Sequence, residues 1–79
     1  MRMISEQKWL NEFGDNLKDI LKEKCMTQQE LADECGVVKS VISSYINKNK
    51  MPSLKTAINM AYVLDIDIDE LVDFGAMIE

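Results

Sequence analysis

Between Thr27 and Ile46 the chain spells out a helix start, a helix stop and a second helix, and this segment constrains the fold more than any other. Thr27-Gln28-Gln29-Glu30 has the form of a capping box. The threonine hydroxyl can accept from the glutamate amide while the glutamate carboxylate reaches back to the threonine amide. Leu31, Ala32 and Cys35 supply apolar positions, and Gly36 suits the left-handed position after a helix. Val37 sits in the turn, where it can plug the angle between two helices. From Lys39 to Ile46, Val41, Ile42, Tyr45 and Ile46 form an apolar set and Lys39, Ser40, Ser43 and Ser44 a polar one. Each helix has only about two turns, too short to persist alone in water. β-Branched residues weaken the second further, so packing has to hold both.

The remaining periodicity is also helical. A first helix is expected from about Glu6 to Lys24, capped by Ser5, with Trp9, Phe13, Leu17, Ile20 and Leu21 along one face. Gly14 weakens it by ~1 kcal/mol relative to alanine and is a candidate break. Asn47-Lys48-Asn49-Lys50-Met51-Pro52 reads as a polar loop. Ser53 then caps a fourth helix, about Leu54 to Leu64, whose apolar face is read as Leu54, Ala57, Ile58, Ala61, Tyr62 and Leu64. Asp67-Ile68-Asp69-Glu70 repeats the capping pattern for a last helix reaching about Phe74, with Ile66 as a staple against Leu71. No strand pattern competes. The expected fold is all-α, a compact bundle of five helices. Seventy-nine residues allow one core, so residues 1–79 are read as one domain.

Composition narrows the chemistry. Hydrophobic residues make up 47% and charged residues 29%, which argues against disorder. The chain has no histidine, no metal-ligand cluster and no glycine-rich phosphate loop, so a catalytic role has almost no support. No cofactor, metal ion or small-molecule substrate is expected. Cys25 and Cys35 are read as reduced thiols, Cys35 on the apolar face of its helix and Cys25 the more accessible. No apolar run is long enough for a bilayer. A cytoplasmic, nucleoid-associated location is expected.

The net charge of −5 speaks against a polyanionic partner, but the charge is unevenly spread. Residues 36–56 carry Lys39, Lys48, Lys50 and Lys55 and no acid, whereas residues 57–79 are net −6. Helix, glycine-containing turn and helix is the form of a helix-turn-helix. Its second helix can enter a DNA major groove and bring small polar side chains to base edges. Lys39, Ser40, Ser43 and Ser44 are the candidate base-contacting residues. Gln28, at the start of the preceding helix, can hold a phosphate together with the helix-end amides. Asn47, Lys48, Asn49, Lys50 and Lys55 are further candidates for the phosphate backbone. Any one of these alone reads equally well as a solvated surface side chain. Their joint order carries the argument.

With these residues in place the chain resembles the lambda-repressor-like helix-turn-helix regulators, the Cro and phage-repressor group. The resemblance spans about residues 15–72 and rests on Met26-Thr27-Gln28-Gln29-Glu30-Leu31-Ala32, Gly36-Val37, Ile42-Ser43-Ser44-Tyr45, Pro52-Ser53-Leu54, Leu64 and Asp69-Glu70-Leu71. It implies sequence-specific duplex binding, usually by a two-fold dimer. It also implies a phosphate contact at Gln28, base contacts at Lys39, Ser40 and Ser44, and backbone contacts from the Asn47–Lys50 loop. Four positions depart from the family pattern. Cys25 and Lys48 stand where glycine is common, Val38 where a Ser or Thr cap is usual, and Leu21 where arginine is frequent. A homodimer on a near-palindromic operator is expected, because one helix reads too few base pairs for tight specificity. Candidate dimer surfaces are the Trp9–Phe13 end and the Leu71-Val72-Phe74-Met77-Ile78 end. The competing reading is a protein-interaction adaptor acting through the acidic C-terminal face.

Overall fold

The computed structural model describes residues 5–72. It contains α1 (Glu6–Glu23), α2 (Gln28–Cys35), α3 (Lys39–Ile46), α4 (Leu54–Leu64) and α5 (Ile68–Leu71). The described residues are thus all-α, as expected. α1 packs on α3 and α5, α2 on α3 and α4, and α4 on α5. The core is built from Phe13, Leu17, Leu31, Ile42, Met60, Leu64 and Leu71, each essentially without solvent contact.

The helix starts follow the sequence closely, with one exception. Thr27 Oγ1 accepts from the Glu30 amide at 3.0 Å, and Glu30 Oε1 accepts from the Thr27 amide at 3.1 Å, which completes the capping box. Ser5 and Ser53 accept from the amides of Lys8 and Thr56. Val38 gives α3 no side-chain cap, as its aliphatic side chain dictates. The exception is α5, where Asp67 makes no side-chain cap bond. This single turn is instead anchored by tertiary contacts: Leu71 and Val72 are buried, and Asn16 Nδ2 donates to the Leu71 carbonyl at 3.0 Å. The expected continuation to Phe74 lies outside the described residues.

Two further expectations are corrected. Gly14 does not break α1, which runs through it. It is buried where α1 meets the end of α3, and a Cβ placed there would lie 2.9 Å from the Tyr45 carbonyl oxygen and 3.1 Å from that of Ile46. Glycine is needed for this approach, and the packing gained outweighs the helix propensity lost. The apolar face expected for α4 is right at Ala57, Ala61 and Leu64 and wrong at Leu54, Ile58 and Tyr62. Ala57, Met60, Ala61 and Leu64 are buried, while Leu54, Ile58 and Tyr62 are exposed. Hydropathy alone cannot choose between two apolar stripes on one helix.

Four helices end in the same way. The left-handed residue is Cys25 after α1, Gly36 after α2, Lys48 after α3 and Asp65 after α4, with φ between 54° and 71°. In each case the next amide reaches back five residues: Met26 to Leu21, Val37 to Ala32, Asn49 to Ser44 and Ile66 to Ala61, at 2.9–3.0 Å. This is the Schellman closure, which satisfies carbonyls that a helix end would otherwise leave open. Three of the four positions carry a side chain and so bear a steric cost that glycine avoids. Two of those, Cys25 and Lys48, are sites where the resemblance had placed glycine.

Candidate nucleic-acid interface

α2 and α3 pack through Leu31, Ala32, Ile42 and Tyr45, with Val37 half-buried in the turn between them. That packing turns the polar side of α3 outward. Lys39 and Ser40 are exposed at its first turn, and Ser43 and Ser44 are half-buried further along. The turn carries no acid, so the outward side of α3 bears Lys39 as its one charge.

The hydroxyls are not equivalent. Ser44 Oγ donates to the Ser40 carbonyl at 2.8 Å, one turn back in the same helix. Its proton is thereby used, and its lone pairs remain open as acceptors. Ser43 Oγ donates across the helix pair to Gln28 Oε1. This bond joins a candidate base reader to the candidate phosphate holder, fifteen residues apart in sequence. With its carbonyl oxygen engaged, Gln28 has its amide NH₂ free to donate, the polarity that a phosphate oxygen requires. Sequence reasoning missed this link, because no local pattern relates positions on different helices. Packing of α2 on α3 creates it.

The loop residues divide. Asn47, Asn49 and Lys50 are exposed, directly following α3. Lys48 instead turns back to α1, its Nζ 3.0 Å from Asp15 Oδ1. Lys55, on the first turn of α4, lines a shallow groove with Val37, Ile58 and Tyr62. The structure therefore brings Gln28 and Ser43 into contact and arrays Lys39, Ser40 and Ser44 along one helix. It gives Lys48 and Lys55 surroundings of their own.

Five acidic side chains gather elsewhere. Asp19 and Glu23 of α1 line a groove with Asp65, Asp67 and Glu70 at the α4–α5 junction, with Lys24 as its one basic side chain, and α3 contributes nothing to it. Residues far apart in sequence thus separate into an acid-free α3 side and an acidic groove. No group of residues suited to a metal ion occurs among those described. Burial raises the Cys35 thiol pKa, with Glu34 beside it acting in the same direction. Cys25 is exposed.

Residues 17–71 match the sequence model of a helix-turn-helix family, which covers more than half of the chain. The chain belongs to the HTH_3 helix-turn-helix family. The lambda-repressor-like resemblance read from the motifs is thereby borne out. Among proteins similar to it are two from Bacillus subtilis (strain 168). The uncharacterized HTH-type transcriptional regulator YqaE is 37% identical over 60 residues, 76% of this chain and 52% of that protein. The HTH-type transcriptional regulator SinR is 36% identical over 63 residues, 77% of this chain and 56% of that protein. The chain thus spans about half the length of these curated relatives. Among solved structures, the restriction-modification controller protein C.AhdI from Aeromonas hydrophila superposes with a TM-score of 0.75 at 29% identity, covering 78% of this chain and 94% of that one. At the level of the family, these matches support DNA binding through a helix-turn-helix and a part in transcription regulation.

Proposed function

We propose that the chain binds double-stranded DNA sequence-specifically as a small transcriptional regulator of the phage or bacterial type, with α3 in the major groove. The observation that supports this most directly is the exposed, acid-free side of α3 beside a Gln28 amide oriented by Ser43. In this reading Lys39 donates to guanine O6 or N7, and Ser40 and Ser44 offer small groups to base edges. Ser43 lies on the same side and acts chiefly by holding Gln28. Gln28 donates to a phosphate, and Asn47, Asn49 and Lys50 grip the backbone after α3, with Lys48 and Lys55 flanking them. Residues 1–79 act as one unit around the family-like core 15–72. The active form is a homodimer on a near-palindromic operator, located with the DNA in the cytoplasm. Its half-sites lie ~34 Å apart, a spacing borrowed from well-known repressors of this family. The relatives named as transcriptional regulators support the same assignment.

The test is selection of bound sequences from a random duplex pool at moderate salt. A near-palindrome should be enriched, and affinity should fall with salt by a log–log slope of about −0.9 per phosphate neutralised. Weak uniform binding without enrichment would overturn the proposal. The acidic groove of Asp19, Glu23, Asp65, Asp67 and Glu70 would then favour an adaptor that holds a basic protein partner.

A further inference from the structure

Among the described residues, five large apolar side chains stand exposed, and three of them lie on α4. Leu54, Ile58 and Tyr62 follow one another at steps of four, with 72%, 53% and 84% of their surfaces open. That spacing stacks them along one face of the helix. The opposite face is committed to the core through Ala57, Met60, Ala61 and Leu64. A continuous apolar stripe on so small a protein marks a contact surface. Of the two ends named from the sequence, Phe13, Leu71 and Val72 are buried and Trp9 packs half-buried on Phe13, while Phe74, Met77 and Ile78 lie outside the described residues.

The charges beside the stripe indicate what covers it. Lys55 lines one groove with Ile58 and Tyr62, and Glu34 and Asp65 line the next with Tyr62. The stripe is therefore basic at its N-terminal end and acidic at its C-terminal end. A two-fold contact turns one stripe end for end against the other, so each basic end meets an acidic one. The pairs 55/65 and 58/62 share one midpoint in the sequence, residue 60. One antiparallel register therefore sets Lys55 of each copy against Asp65 of the other while Ile58 meets Tyr62.

We propose that the outer face of α4 is the homodimer interface. Leu54, Ile58 and Tyr62 form its apolar centre, and Lys55 and Asp65 form reciprocal ion pairs. The occupant is a second copy of this chain, because the charge order is self-complementary. The inference takes from the proposed function only that the active form is a dimer. α3 packs on α1 and α2, so Lys39 and Ser40 stay exposed.

Sedimentation velocity on the full chain without DNA, over a concentration series, tests this. The wild type should self-associate, and Ile58→Glu should abolish association while leaving the helical circular dichroism unchanged. Lys55→Asp and Asp65→Lys should each weaken association by about ten-fold or more, since each sets like charges together. Lys48 already occupies the backbone conformation that a lysine at 65 would adopt. An equimolar mixture of the two single variants, and the double variant, should both recover wild-type association, because opposite charges face again at both ends. A monomeric wild type, a dimer indifferent to Ile58→Glu, or a mixture that stays monomeric would overturn the interface. Binding to single half-site duplexes separates this from the functional proposal. A monomer that binds them sinks the interface and leaves DNA recognition standing. A charge-dependent dimer that binds no duplex does the reverse.

Discussion

Gln28 and Ser43 show how one hydrogen bond can divide labour within the proposed recognition surface. Ser43 uses its proton on the Gln28 carbonyl oxygen, which leaves the glutamine NH₂ to face outward. Ser43→Ala is therefore expected to weaken duplex binding by the worth of one hydrogen bond, ~0.5–1.5 kcal/mol or roughly two- to ten-fold. The loss should be similar for all sequences, as befits a phosphate contact. A double-mutant cycle checks the cause: Gln28→Ala with Ser43→Ala should bind about as well as Gln28→Ala alone, because the serine acts through the glutamine. Additive losses would instead make Ser43 an independent reader. Lys39→Ala should cost ~1–3 kcal/mol and relax base preference at one position of each half-site, measured by binding to single-substitution duplexes. Lys48 starts from its pairing with Asp15, a partly exposed bridge of small net worth that a phosphate could displace.

The helix ends carry both the regularity and the strain of this fold. Cys25 is exposed, lies at φ 54° and occupies a Schellman position that glycine fills without a steric cost. Cys25→Gly should raise stability by ~0.5–1 kcal/mol in urea denaturation, after the greater freedom of glycine in the unfolded chain offsets part of the relief. Gly14 predicts the opposite sign for a glycine replacement. Gly14→Ala gains ~1 kcal/mol of helix propensity. It also drives a methyl group to 2.9 Å from the Tyr45 carbonyl oxygen, and the end of α3 must shift to accommodate it. Overpacking of this kind costs ~1–3 kcal/mol, so after the propensity gain a net destabilisation of up to ~2 kcal/mol is expected in the same assay. The starts of α1, α2 and α4 were legible in the sequence, because Ser5, Thr27 and Ser53 each cap amides three residues away. The buried side of α4 was legible only in part: Ala57, Ala61 and Leu64 were expected in the core and are there, but Leu54, Ile58 and Tyr62 form a second apolar stripe that faces outward, and Met60 is buried instead. The role of Gly14 was hidden. Its partner is the backbone of a helix some thirty residues away.

At the scale of the whole molecule, packing sorts charge into separate surfaces, buries the Tyr45 ring and half-buries the Cys35 thiol. Burial raises the pKa of the Tyr45 hydroxyl, against a hydrogen bond with Thr56, and raises that of the Cys35 thiol, with Glu34 adding to it. The unfolded chain releases these protons near their ordinary values, 9.0 for Cys35 and 10.0 for Tyr45, whereas the folded chain holds them to higher pH. Above those values the folded state binds more protons, so the contribution of these two groups to stability is full below about pH 9 and is lost as the pH rises. Urea midpoints measured at about pH 8 and pH 10.5 should show this decline, and Tyr45→Phe should reduce it. The sequence by itself determined the order and kind of the helices and most of their caps. It also determined the helix-turn-helix and the acid-free stretch of residues 36–56, since capping, turns and local charge depend on neighbours within a few positions. The tertiary structure alone decided which side of α4 faces solvent, why Gly14 is required, how Gln28 is oriented and where the acids collect. Each of these depends on contacts between helices, which form only when burying apolar surface brings distant parts of the chain together.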